Sequence, residues 1–190
     1  DLVERLARRE GVETRLEFDE WDPTGRIQVH SFWKMPGVRP GRRSPYLLYT
    51  QDSSAGSFLV ERNSGDGEIP KLFERTLYRQ AYYRDLSPDV LAIGLGGGPD
   101  ILTALHHNAR SVVGVEINGA AVRMARGPMS GVLGGAYGDP RVEIVHRDGR
   151  AYAASTNRKF DILQMSGADT KQLLAAGSLP AVVLGIVFSG

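Results

Sequence analysis

Four glycines fall among the five residues Gly94 to Gly98, directly after an apolar run in "DVLAIGLGGGPDIL". Glycine at such a turn lets the chain double back tightly and lets a ligand approach the backbone closely. A helix starting beyond it, with Pro99 in its first turn, offers free N–H groups. Gly94, Gly96 and Gly98 read G-x-G-x-G. The dinucleotide fingerprint G-x-G-x-x-G would need glycine where Pro99 stands, which argues against NAD or FAD. No G-K-[ST] follows, so the loop is not a Walker phosphate cradle either. Glu116 ends the next apolar run, 20 residues after Gly96. A carboxylate there can accept hydrogen bonds from both hydroxyls of an unphosphorylated ribose. The plainer alternative is a turn followed by a strand-end acid.

Three further acids fall at comparable places. Asp148, with Gly149 beside it, follows "RVEIVH" and can accept from an adenine amine, or simply cap the "AYAAS" helix. Ser166 and Asp169 follow "FDILQM", and Asp169 is equally placed to cap a helix at "TKQLLAA". Asp100 sits where an ordinary first-turn acid meets the positive end of a helix dipole. The histidines do not make a metal site. His106 and His107 are adjacent on a helix and point to different sides, and neither His30 nor His146 has a partner at ligand spacing.

Strands and helices must alternate to bring these acids to one rim. "DVLAIGLG", "SVVGVEIN", "RVEIVHRD" and "KFDILQMS" read as strands. The first two have short apolar centres, "VLAI" and "VVGV", as strands covered on both faces do. "PDILTALHHNA", "GAAVRMAR" and "AYAASTN" read as the helices between them. This order implies parallel βαβ units in a doubly wound, Rossmann-like α/β sheet, with ligand at the carboxyl ends of the strands. Earlier in the chain, "RIQVHSFW" and "SPYLLYTQ" are strand-like and "SSAGSFLVE" suits a third strand. "KLFERTLYRQAYYRDL" has a helical apolar face in Leu72, Phe73, Leu77 and Ala81. The layout divides into a β-rich region over 1–70, a connecting helix over 71–87 and a nucleoside-binding domain over 88–190. Tyr78, Tyr82 and Tyr83 read mostly as core or interdomain packing, with Tyr78 or Gln80 the alternative lining of the substrate cleft.

Composition narrows the class. The 190 residues are 42% hydrophobic, with 23 Lys+Arg against 22 Asp+Glu. That balance argues against a dedicated nucleic-acid binder. With no cysteine, disulfides, thiolate nucleophiles and Cys-ligated zinc are excluded. The chain begins at Asp1 with no signal-peptide pattern, as a fragment would. "LPAVVLGIVFSG" is apolar but shorter than the roughly 20 residues that span a bilayer. A full domain of this fold carries about three more strands after the fourth. A sheet ending at "KFDILQMS" would leave an unpaired edge and invite self-association into a homo-oligomer.

Together, "VLAIGLGGGPDILTAL", "VVGVEIN", "DPRVEIVHRDGRAY" and "FDILQMSGADT" resemble the spermidine synthase (polyamine aminopropyltransferase) family. The resemblance spans about Val90 to Thr170 and is fainter over Trp21 to Tyr83. The "GLGGGPD" and "SGADT" variants look most like the branch with membrane-fused members. The resemblance implies an S-adenosylmethionine-type Rossmann domain behind a small N-terminal β-domain. It implies decarboxylated S-adenosylmethionine, or S-adenosylmethionine, as the adenosyl cofactor. It further implies a polyamine acceptor such as putrescine and a cytoplasmic setting, with the full-length protein membrane-tethered if it follows that branch.

Residue by residue, the resemblance implies that Gly94, Gly96 and Gly98 form the cofactor loop, that Glu116 binds the ribose, and that Asp148 with Gly149 faces adenine. Asp169 matches the second acid of the family's D-S-S-D motif, which helps hold the amines. Two positions depart. Ser166 stands where the resemblance implies the family's general base. Gly97 replaces the acid that binds the cofactor amine, a role Asp100 is near enough in sequence to take. Transfer to an amine needs a carboxylate to hold the ammonium and take its proton, and serine alone does neither well. Two other readings stay open. A methyltransferase of this fold often carries an acid two residues before the first glycine, where this chain has Ala92. A non-catalytic or incomplete nucleoside-binding relative is the third.

Overall fold

A computed structural model describes residues 3, 12–34, 36–53, 55–61, 77–83, 87–132, 136–166 and 183–187. The N-terminal part is an antiparallel meander of four strands: β1 (Glu13–Asp22), β2 (Gly25–Trp33), β3 (Arg43–Gln51) and β4 (Ala55–Val60). The last three coincide with the strand-like stretches of the sequence. β1 was not anticipated. Its residues, "ETRLEFDEWD", are half-exposed or exposed because it is an edge strand, paired among the described residues with β2 alone. Charge along an edge discourages pairing with another chain, and it also erases the apolar alternation by which a strand is read.

The second sheet contains β5 (Asp89–Ile93), β6 (Ser111–Glu116), β7 (Val142–His146), β8 (Ile162–Met165) and β9 (Val183–Val187), in the order β7-β6-β5-β8-β9. β5 to β8 are parallel, joined in part by the helices α1 (Pro99–His106), α2 (Gly119–Arg126) and α3 (Gly149–Ser155). β6 is buried from Val112 to Glu116, which accounts for its unbroken apolar sequence. This is the doubly wound α/β arrangement expected.

Two expectations need correction. The sheet does not end at the fourth parallel strand. β9 pairs antiparallel with β8, through Ile162 with Val187 and Met165 with Val183. β9, "VLGIV", therefore covers the edge from which self-association is expected. The helix expected over "KLFERTLYRQAYYRDL" is described only at Leu77–Tyr82, and there it is a 3-10 turn. Tertiary contacts fix that turn: Ala81 and Tyr82 are buried in the core, and the Tyr82 hydroxyl donates to Gln164 Oε1 at 2.9 Å.

The sheets share one core. Ile27, Val29, Leu47 and Leu59 of the meander cluster with Val90, Leu95, Ile101 and Val112 of the second sheet. Polar contacts reinforce the junction: Asn118 Nδ2 donates to the Gly25 carbonyl at 3.2 Å, and Arg123 Nε to Glu20 at 2.5 Å. Among the described residues, no helix is long and apolar enough to cross a membrane.

Candidate functional site

The carboxyl ends of β5, β6, β7 and β8 carry the residues singled out in the sequence. Gly94, Gly96 and Gly98 all have positive φ, at 82°, 48° and 84°. Side chains rarely adopt that region, so the turn depends on glycine. The Gly98 N–H donates to the Leu95 carbonyl at 2.7 Å, and Gly98 is the N-cap of α1, with Pro99 at the start of the helix. Gly97 serves a different end. A Cβ there would lie 2.4 Å from the Phe58 carbonyl oxygen and 3.1 Å from the Leu59 nitrogen. What approaches the loop at that point is the backbone of β4.

Glu116 ends β6 and is only 7% exposed. Its Oε2 accepts from the Leu95 N–H at 2.9 Å, and its Oε1 from the Asn118 N–H at 2.8 Å. The side chain therefore braces the glycine loop and the start of α2 together. Each oxygen of a carboxylate can accept about two hydrogen bonds, so one further position remains on each. Asp148 is the N-cap of α3 and accepts from the Ala151 N–H at 2.7 Å, as the capping alternative held. Gly149 beside it lets the helix close on β5: a Cβ would meet Ile93 Cγ2 at 2.3 Å.

Asp100 is the most constrained acid of the site, 2% exposed. Burial pushes its carboxyl up to about 7, against hydrogen bonds from the Ser166 hydroxyl, the Ser166 backbone and Gln164 that favour the charged form. Gln164 Nε2 donates to Asp100 Oδ1 at 2.5 Å, while its Oε1 accepts from Tyr82. The structure thus brings together Asp100 and Ser166, which the sequence assigned to separate jobs. Asp169 lies outside the described residues. Of the two cleft candidates, Tyr78 is half-buried near Asp100 and its carbonyl accepts from Gln164 at 3.3 Å, whereas Gln80 is exposed.

Three residues of the site were not anticipated. Gln164, 2% exposed, is a lone polar residue in the apolar strand β8, and that anomaly was the available signal. Tyr137 is buried in the 3-10 turn Ala136–Gly138. The negative charges of Glu116 and Asp100 both act on it, adding to the upward push of burial on its hydroxyl. That hydroxyl has no hydrogen-bond partner among the described residues. Tyr49 of β3 is likewise raised by burial and by Glu116. Tyr49 and Tyr137 stand in loop or meander contexts that carry no periodic cue. Among the described residues, no three His, Asp or Glu side chains gather as a metal site would.

The charge state of Asp100 has a measurable consequence. Its folded carboxyl titrates near 7, against the usual 3.8. Between these values the folded chain holds a proton that the unfolded chain has lost, so this group's contribution to stability falls as pH rises from about 4 to about 7. Asp100→Asn removes the titration. Relative to wild type, the variant should gain stability between about pH 5 and about pH 7, as read from urea midpoints. A wild-type-to-variant difference that stays flat across that range would contradict the buried, uncompensated state of Asp100.

No family model matches the chain. Curated relatives do. The chain is 34% identical over 153 residues to the polyamine aminopropyltransferase of Pyrobaculum aerophilum, covering 72% of this chain and 50% of the relative. It is 37% identical over 116 residues to polyamine aminopropyltransferase 1 of Hyperthermus butylicus, covering 58% of this chain and 39% of the relative. The chain thus spans half or less of the length of these relatives. Among solved structures, the spermidine synthase of Thermotoga maritima superposes with a TM-score of 0.54 at 20% identity, over 84% of this chain and 49% of that one. A spermidine synthase in complex with the transition-state analogue AdoDATO gives 0.53 at 20% identity, over 80% and 46%. The solved structures match the fold and the curated relatives match the sequence: the chain belongs to the spermidine synthase, or polyamine aminopropyltransferase, family.

Proposed function

We propose that this chain binds decarboxylated S-adenosylmethionine and transfers its aminopropyl group to a polyamine such as putrescine. The observation that carries this reading is a pair of buried acids next to the glycine loop, Glu116 at the end of β6, accepting from the Leu95 N–H, and Asp100 in the first turn of α1. The two acids suit two different groups of such a substrate. Glu116 keeps an acceptor position on each oxygen beside the glycine loop, which fits the paired hydroxyls of a ribose. Among the described residues that set its ionisation, Asp100 has no cation beside it, which fits an ammonium. The Tyr137 hydroxyl, buried and without a hydrogen-bond partner among the described residues, is a donor or acceptor left to be satisfied. Asp148 retains one oxygen beyond its cap bond for an adenine amine, and we assign Asp169 to the amine side, as in the family motif.

The adenosyl substrate supplies a carbon activated by an adjacent sulfonium. The protein's part is to orient it, exclude water and manage the acceptor's proton. An amine with pKa near 10 is protonated at neutral pH, so its proton must leave before the nitrogen can attack. The decisive assay supplies decarboxylated S-adenosylmethionine and putrescine and measures methylthioadenosine by chromatography. Its formation together with spermidine is the expected result. Methyl transfer from S-adenosylmethionine, with no methylthioadenosine formed, would overturn the assignment in favour of a methyltransferase.

A further inference from the structure

The family resemblance leaves position 166 without an acid, yet the structure does not leave the place without one. Gln164 Nε2 donates to Asp100 Oδ1 at 2.5 Å and to Ser166 Oγ at 3.4 Å, so one amide holds the carboxylate and the serine side by side, and Ser166 favours the charged form of Asp100. The carboxylate comes from the first turn of α1 and the serine from the end of β8, two elements whose ends meet at the β5–β8 boundary. In a doubly wound sheet that boundary is the switch point where ligand binds. The other described groups facing Asp100 are Tyr78 and Tyr82 of the Leu77–Tyr82 turn and Tyr137 of the Ala136–Gly138 turn. All are neutral, and burial holds each tyrosine hydroxyl protonated. The carboxylate has hydrogen-bond donors but no counter-charge from them, an arrangement that favours arrival of a cation.

We infer that Asp100, acting through the Ser166 hydroxyl, supplies the proton-accepting carboxylate that the family otherwise places at position 166. This rests on the transferase reading above. An acceptor ammonium donating to Ser166 Oγ passes one N–H proton to that oxygen while the serine's own proton moves to Asp100. The nitrogen keeps the electron pair of the broken N–H bond. It uses that pair to form a bond to the carbon beside the sulfonium, and the C–S electron pair leaves on sulfur as the neutral thioether. The proton on Asp100 then returns to solvent, which restores the carboxylate. Ser166 touches the substrate, and Asp100 is the positioning residue and proton reservoir behind it. Gln164, held by Tyr82, keeps the carboxylate aimed at the serine.

The test compares wild type, Asp100→Asn and the double variant Asp100→Asn with Ser166→Asp. Methylthioadenosine formation is measured across pH, and methylthioadenosine affinity by calorimetry. Wild-type kcat should fall on the acid side through one ionisation. Asp100→Asn should lower kcat roughly 10²–10⁴-fold, the range of a positioned general base, and abolish that ionisation while leaving nucleoside affinity unchanged. The double variant returns a carboxylate from the other side of the same hydrogen bond and should recover both the rate and the acid limb. A wild-type rate and profile in Asp100→Asn would overturn the relay, as would a double variant no faster than the single one with affinity intact. Wild type that binds methylthioadenosine yet forms none at any pH would overturn the transferase reading, and the relay with it.

Discussion

Glu116→Ala is expected to weaken methylthioadenosine binding by roughly 10- to 150-fold, the equivalent of about 1.5–3 kcal/mol for lost hydrogen bonds to a charged acceptor. It should also destabilise the chain, because the Leu95 and Asn118 N–H groups lose their acceptors and an unsatisfied buried donor costs about 1–3 kcal/mol. Glu116→Gln separates the two effects. One amide oxygen still accepts, but the amide nitrogen must face a backbone N–H, donor against donor. The glutamine variant should therefore lie between wild type and alanine in stability and bind nearly as weakly as alanine. Calorimetry and urea titration give the two quantities. Wild-type affinity in Glu116→Ala would remove the ribose role and leave Glu116 as a loop brace.

Gly97→Asp, the substitution that would return the family's acid to the glycine loop, is expected to damage the protein rather than improve it. The new Cβ would sit 2.4 Å from the Phe58 carbonyl oxygen and 2.6 Å from its carbon. These are backbone atoms of a paired strand, so no side-chain rotation relieves them. Overpacking of this kind costs about 1–3 kcal/mol or more, and a carboxylate pressed against a carbonyl oxygen adds a desolvation penalty. The denaturation midpoint should fall, by a comparable amount in Gly97→Ala, since the clash begins at Cβ. If both variants keep the wild-type midpoint, β4 does not pack on the loop as described. The contact gives a physical reason for the family departure: the space for an acid at position 97 is filled by the protein's own strand.

The sequence made the α/β half legible because burial on both faces imprints itself on composition. "DVLAI" and "SVVGVE" have no polar face to confuse the reading, and Pro99 and Asp148 mark helix starts through known chemistry. β1 was hidden for the opposite reason, since an edge strand with Glu13, Glu17, Asp19, Glu20 and Asp22 has little face to bury. β9 was visible as an apolar run, but its partner was not, because strand pairing is a long-range fact that local pattern does not encode. The site divides the same way. Gly94, Gly96, Gly98, Glu116 and Asp148 announce themselves by spacing from a strand end. The meeting of Asp100 with Ser166 depends on how α1 and β8 are brought together, and Tyr137 enters from a turn without periodicity.

The packing of the glycine loop against β4 also bears on the order in which the chain assembles. The meander is built from neighbours in sequence, with short connections such as Asp22 to Gly25 and Gln51 to Ala55. The parallel sheet must close β5 onto β8 across most of the second domain, at Val90 with Ile162. Loop-closure entropy makes the first kind of contact fast and the second slow. A chain emerging from its N-terminus has therefore set down the β4 backbone before the segment from Gly94 to Gly98 requires it. The meander acts as a mould against which the glycine turn is cast, and a defect in those early strands would surface late, as a failure to form that turn.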